Sequence, residues 1–154
     1  MSESLSEIRF YHLTSTPFER AVPQLLSKII SQKKRVLLLV SDKKKAQEVD
    51  SLLWSYDPAS FLPHGMLGDD YSENQPVLIA TEPEAINNAE VVMITTGAVL
   101  EKIEDYKICV DIFNGHDEQE VSDARQRWKI YQQRDDVALT YWKQNIDGAW
   151  AKAA

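Results

Sequence analysis

Val36-Leu37-Leu38-Leu39-Val40 is an unbroken apolar run, preceded by Lys33-Lys34-Arg35 and followed by Ser41-Asp42. A strand wetted on one face alternates apolar and polar residues. A short run without alternation suits a strand covered on both faces, the kind found in parallel sheets between helical layers. That predicts a helix on each side of the run, and both are readable. Before it, Thr16-Pro17-Phe18-Glu19 presents an N-cap, a proline at the first helical position and a capping-box glutamate. Phe18, Ala21, Val22, Leu25, Leu26, Ile29 and Ile30 follow at three- and four-residue steps as one apolar stripe. Pro23 lacks an N–H and its ring crowds the previous turn, so the regular helix is expected to begin just before Pro23 rather than at Pro17. After the run, Ser41 or Asp42 caps a second helix that turns Ala46, Val49, Leu52 and Leu53 inward and reaches Trp54 before Asp57-Pro58 breaks it.

The same alternation continues. Ile8 to Leu13 reads as a first strand of open orientation. Val77 to Ala80, Val91 to Thr95 and Lys107 to Asp111 read as further strands, with helical turns expected in 82–88 and 97–104. A long helix is predicted from Glu118 to Gln133, and Leu139 to Trp142 as an edge strand. Strands alternating with helices give an α/β fold, a Rossmann-like three-layer sandwich with a mostly parallel central sheet and the 36–40 run at its centre. Residues 1–154 are expected to form a single domain, with 1–7 flexible. The formal charge of −7 and pI near 4.9 weigh against broad contact with phosphate backbones, so no direct DNA binding is expected. No apolar run approaches the roughly 20 residues of a membrane span. The segment Met1 to Glu7 lacks the basic-then-apolar layout of a secretion signal, and Cys109 is the only cysteine, so the chain is expected in the cytoplasm, away from membranes.

Little in the chain suggests catalysis. His12, His64, His116 and Cys109 are scattered without ligand spacing, so no metal or other cofactor is expected. There is no G-x-x-x-x-G-K-[ST] and no G-x-G-x-x-G after a strand. Cys109 lies in an apolar strand, where burial raises a thiol's pKa and blocks attack. Asp111, at the expected end of that strand, resembles the metal-side aspartate of a nucleotide hydrolase but without a phosphate loop reads as a turn or helix-entry residue. Asp69-Asp70 and Asp135-Asp136 are adjacent rather than facing, and read as solvated loop charges.

Two stretches are candidate contact surfaces. Leu53 to Gly65 places Trp54 and Phe61 in a loop broken by prolines, either as plugs of the core or as aromatic anchors for a partner. In the long helix, Arg125, Trp128, Lys129 and Gln132 share one face, with Ala124, Arg127 and Tyr131 on a neighbouring stripe. An arginine fork matches a carboxylate and an indole offers a flat apolar face, so this helix carries the parts to grip a peptide end. The competing reading makes Trp128 core and the cations its solvated rim.

Phe10-Tyr11-His12-Leu13, Lys34-Arg35-Val36-Leu37, Leu53-Trp54, Ser60-Phe61-Leu62-Pro63-His64, Val110-Asp111 and Ala124-Arg125-Gln126-Arg127-Trp128-Lys129-Ile130-Tyr131 occur in an order and spacing that resembles the chi subunit of bacterial DNA polymerase III holoenzyme. The resemblance implies a non-catalytic α/β accessory subunit. It implies two partners, the psi subunit of the clamp-loader assembly and the acidic C-terminal tail of single-stranded DNA-binding protein, with a helicase-like protein as an additional occupant of the psi surface. Matched by position, Trp54 and Phe61 fall on the psi surface, while Phe113, Arg125, Trp128 and Lys129 fall on the tail site. Arg125 would hold the tail's terminal carboxylate, with Phe113 and Trp128 flanking its last aromatic side chain. This chain departs from the family pattern in three places. Trp128 stands for the usual tyrosine, Val121 for a lysine one turn before Arg125, and Gly115-His116 adds a residue before the helix. The Val121 exchange implies a weaker tail contact, or reliance on Arg127 and Lys129. The other functional readings are a degenerate Rossmann-like nucleotide-binding enzyme and a single-strand stacking platform at Arg125 and Trp128.

Overall fold

The structure is a computed structural model that describes residues 6–55, 62–95, 97–98, 100 and 102–153. Its elements in chain order are β1 (Ser6–Leu13), α1 (Phe18–Ser31), β2 (Val36–Leu39), α2 (Lys43–Ser55), β3 (His64–Met66), β4 (Val77–Ala80), β5 (Val91–Ile94), β6 (Ile108–Asn114), α3 (Glu118–Gln132), β7 (Val137–Gln144) and β8 (Trp150–Lys152). Short 3-10 turns occupy Ser72–Asn74 and Ile103–Asp105.

The strands form one sheet in the order β3-β4-β2-β5-β6-β1-β7-β8. Every pairing is parallel except β7 with β8. The orientation left open for the first strand is therefore settled: β1 runs parallel between β6 and β7. The 36–40 run is interior, but β5 and β6 hold the middle of the sheet. Successive side chains alternate between faces. Val36, Leu38 and Val40 join Ala21, Val22, Leu25, Leu26, Ala46, Val49 and Leu53 in one core, beneath α1 and α2. Leu37 and Leu39 join Ile8, Phe10, Cys109, Phe113 and Ala124 in a second core, beneath α3. Both faces are thus covered, which is the Rossmann-like three-layer arrangement expected, and it explains why the run has no polar member.

Several expectations are corrected. β1 begins at Ser6, whose hydroxyl donates to the Tyr106 carbonyl at 3.1 Å; residues 1–5 of the segment expected to be flexible lie outside the described residues. The first helix runs from Phe18 straight through Pro23, and Pro17 rather than Thr16 takes the cap position, without a side-chain bond. Thr16 is engaged elsewhere: its Oγ1 accepts from Gln144 Nε2, and its N–H donates to Gln144 Oε1. The helix tolerates Pro23 because the carbonyl it leaves unbonded is that of Glu19, an exposed residue, while the apolar stripe gains burial. Asp42 is the cap of α2, its Oδ1 accepting from Lys45 N at 2.8 Å. The Asp57-Pro58 break lies outside the described residues.

No helical turn forms in 82–88, and in 97–104 the described turn begins only at Ile103. β6 continues three residues past Asp111, so that aspartate sits inside a strand rather than in a turn. β7 is longer than expected and is not an edge; β8, which carried no clear signal, covers it. Cys109 is fully buried, and burial pushes its thiol up to about 12, the inert role expected of it. Among the described residues no helix is long and apolar enough to cross a membrane.

Candidate functional site

The carboxyl ends of β6, β1 and β7 are in register, and because paired residues of parallel strands share a face, they form rows. Phe113, His12 and Lys143 make the last row facing α3; Asp111, Phe10 and Tyr141 make the row below it. α3 lies across these rows, its N-terminus capped by Asp117, whose Oδ1 accepts from Gln119 N and Glu120 N.

The helix does not divide as its spacing suggested. Ala124 is buried, and Val121, Trp128 and Tyr131 pack partly buried against the second core, while Arg125, Lys129 and Gln132 are exposed. Arg127 reaches down to Asp111, with Nε to Oδ2 at 2.6 Å and Nη2 to Oδ1 at 2.8 Å. Asp111 is 1% exposed; its burial pushes the carboxyl pKa up, against the downward pull of Arg127. In the opposite direction, Asp111 raises the pKa of Arg127 despite the guanidinium's own desolvation. This fork is a buried brace between helix and sheet, and it removes Arg127 from the cations available to a ligand.

Trp128 is half-buried rather than enclosed. Its ring meets Phe10 edge-on at 5.4 Å between centroids and Tyr141 edge-on at 5.6 Å. Phe113, 3% exposed, lies 4.9 Å from His12 and 6.3 Å from Tyr141. His12 Nδ1 is hydrogen-bonded to the Tyr141 hydroxyl. Edge-to-face rings of this kind fix one another's orientation, so the indole stands on a rigid aromatic floor. The histidine is held below the usual range by burial first, then by the positive charges of Lys143, Arg125 and His116. Tyr141 is pushed up by burial, with Arg125 pulling the other way. Arg125, one helical turn before Trp128, acts electrostatically on both groups.

The loop between β6 and α3 is shaped by a close approach. Gly115 N donates to the Leu13 carbonyl at 2.7 Å, and any Cβ on Gly115 would collide with the His12 imidazole and that carbonyl. His116 is tied down by Nε2 to the Thr14 carbonyl at 2.7 Å. Of the four residues expected at this site, Trp128 and Phe113 both pack into the aromatic floor, while Arg125, one turn before Trp128, and Lys129 lie exposed on the same helix. Sequence reasoning missed His12, Tyr141 and Lys143. The alternation Leu139, Tyr141, Lys143 was visible, but which strand it would join was not.

The second surface is at the other end of the sheet. Trp54, near the end of α2, is 60% exposed, and its ring lies 4.8 Å from that of His64. His64 Nδ1 donates to the Leu62 carbonyl at 2.7 Å, and its Nε2 stands 3.2 Å from Asp50 Oδ1 without hydrogen-bond alignment. Phe61 lies outside the described residues. At the crevice a nucleotide would use, between β2 and β5, Thr95 Oγ1 donates to the Leu39 carbonyl at 2.9 Å and Gly97 closes against Ser41. Among the described residues no cluster of His, Cys, Asp and Glu is arranged to hold a metal.

With these contacts in place, the similarity to known proteins can be read. The family described as DNA polymerase III chi subunit, HolC, matches residues 5–138. The chain belongs to the DNA polymerase III chi subunit family. It is 27% identical over 109 residues to the probable DNA polymerase III subunit chi of Rickettsia prowazekii (strain Madrid E), covering 71% of this chain and 66% of the relative. It is 32% identical over 79 residues to the DNA polymerase III subunit chi of Escherichia coli (strain K12), covering 49% of this chain and 54% of the relative. The chain thus spans just under two thirds of the first chi relative's length and about half of the second's. Arg125, Trp128 and Phe113 fall within the matched residues, whereas Tyr141 and Lys143 lie beyond them.

Proposed function

We propose that this chi-family chain is a non-catalytic accessory subunit of the DNA polymerase III clamp-loader assembly, bridging the psi subunit to the C-terminal tail of single-stranded DNA-binding protein during DNA replication. The tail site consists of Phe113, Arg125, Trp128 and Lys129. The observation that carries this reading is a partly buried indole on an aromatic floor, with the exposed Arg125 guanidinium one helical turn away and in no ion pair among the described residues, in a chain with a net charge of −7. Arg125 takes the terminal carboxylate by a charge-assisted fork, and the indole face takes the apolar side chain beside it. Phe113, being buried, backs the site rather than flanking the ligand. With Arg127 committed to Asp111, Lys129 is the cation on the helix left to assist.

The psi surface consists of Trp54 and Phe61, and a helicase-like protein is a further candidate for it. Trp54 supports this: a large ring that is mostly exposed and stands against His64 binds with little ordering cost. Calorimetry with an acidic peptide ending in phenylalanine tests the first surface. Arg125→Ala should abolish most of the binding, and equal affinity for wild type and variant would remove Arg125 from the role. Trp54→Ala should weaken co-purification with psi while leaving the peptide bound; loss of both activities would indicate misfolding instead.

A further inference from the structure

The row Phe113, His12, Lys143 ends the sheet on the α3 side, and Lys143 is exposed at its β7 end. Its position follows from pairing: it stands beside His12, about 4.8 Å away at the usual strand spacing. Arg125 comes toward the same histidine from the helix layer above. Among the described residues ion pairs are formed by Arg9, Lys45, Lys107, Arg127 and Arg134, and no carboxylate pairs with Arg125 or Lys143. Most of the 17 Lys and Arg likewise form no ion pair among the described residues; what distinguishes Arg125 and Lys143 is that both act on His12. Burial is the main force holding the His12 pKa down and the positive charges of Lys143 and Arg125 add to it, Lys143 standing beside His12 in the sheet and Arg125 lying one turn before Trp128 on the helix packed over that face. Glu120, in the first turn of α3, accepts from the Asn114 N–H at 3.1 Å.

We propose that Arg125 and Lys143 form a two-cation clamp around His12 that takes two negative charges of one acidic peptide end, the terminal carboxylate at Arg125 and a side-chain carboxylate just upstream at Lys143. The inference rests on the peptide-end reading above and extends it from the helix onto β7. In an extended peptide, carboxylates two residues apart are separated by about 7 Å, so the clamp needs its two cations about that far apart. Tyr141 fixes the geometry from below, its hydroxyl holding His12 and its ring meeting Trp128, so the two cations sit over a floor that does not shift. The peptide's polarity is set as well: its end lies by Trp128, and the chain leads away across the ends of β1 and β7.

A double-mutant cycle tests the clamp. Two hexapeptides with free carboxyl ends are titrated at low salt by calorimetry, one with aspartates ahead of a terminal phenylalanine and one with asparagines in their place. Lys143→Ala should weaken the aspartate peptide about threefold to fivefold, the strength of a solvent-exposed ion pair, and leave the asparagine peptide unchanged. Lys143→Arg should restore the difference. Equal loss for both peptides, or no loss for either, would overturn the clamp. Lys143 is exposed, so unchanged thermal melting is expected and checks the fold. Arg125→Ala separates the two levels: if wild type binds neither peptide, the peptide-end reading fails and the clamp with it. If wild type binds and Arg125→Ala does not, while Lys143→Ala shows no selectivity, only the clamp fails.

Discussion

The two faces of the sheet are built from different chemistry. Beneath α1 and α2 the buried layer is aliphatic through its middle, with Leu38, Val77, Ile79, Met93, Val110 and Ile112 meeting Val22, Leu26, Val49 and Leu53, and its rings are confined to Tyr11 with Trp142 and Trp150 on the β1–β7–β8 side and Phe18 on α1. Beneath α3 the layer turns aromatic and ionic toward the carboxyl ends of the strands, with Phe10, Phe113, Trp128 and Tyr141, the Asp111–Arg127 fork and the His12–Tyr141 bond. Aliphatic side chains interdigitate and seal a layer. Rings and paired charges fix directions and leave polar tips at the surface. The first face supplies stability, and the second gives up some sealing to hold an indole, a guanidinium and an imidazole in set positions.

Substitutions on the two faces should therefore fail differently. Leu38→Ala, on the aliphatic face and fully buried, should cost about 3–4 kcal/mol by urea unfolding, with peptide binding by the remaining folded protein unchanged. Arg127→Ala on the other face should cost about 3 kcal/mol, the lower end for breaking a buried pair, because the Arg127 side chain is 37% exposed and water can partly replace it. Unlike the leucine change, it should also weaken peptide binding, since the brace of α3 goes with it. Gly115→Ala should disturb the same site through His12, seen as a moved imidazole resonance, with a smaller loss of stability.

Acid should reveal the difference too. The His12 pKa is lowered on folding, so between that value and the ordinary 6.5 the unfolded chain binds the proton more readily. Stability contributed by this group is present above pH 6.5 and lost as pH falls through that window. Burial opposes the proton most, and the positive charges of Lys143 on β7, Arg125 on α3 and His116 in the loop add to it. A His12→Asn variant should lose this slope in unfolding measurements between pH 7 and 5. The smallest effect is expected at Trp54, where replacement by alanine should change stability by roughly 0.5 kcal/mol or less, as at other exposed positions.

How legible each face was follows from the same chemistry. β2, β4 and β5 are short runs buried on both sides, and continuous apolar residues announced them to within a residue. The longer β1, β6 and β7 carry polar residues at the positions that build the site, and these interrupted the pattern: Asp111 looked like the end of a strand because it is charged, when its charge is spent inside on Arg127. β3 and β8 are three residues each, too short for a periodicity to register. Pro23 looked like a helix boundary because intrinsic cost is visible in a sequence and compensating burial is not. Arg125 and Trp128 could be picked out from helical spacing, a local property. His12, Tyr141 and Lys143 joined them only through parallel pairing of β1 with β6 and β7, which links residues more than a hundred positions apart.

The most direct measurement of the central claim, that a guanidinium beside the Trp128 indole captures a peptide end, is calorimetric titration of one acidic peptide in two forms, free acid and C-terminal amide. The free acid should bind, with the amide at least tenfold weaker for wild type and no different from the acid for Arg125→Ala. Equal binding of acid and amide by the wild-type protein would contradict it.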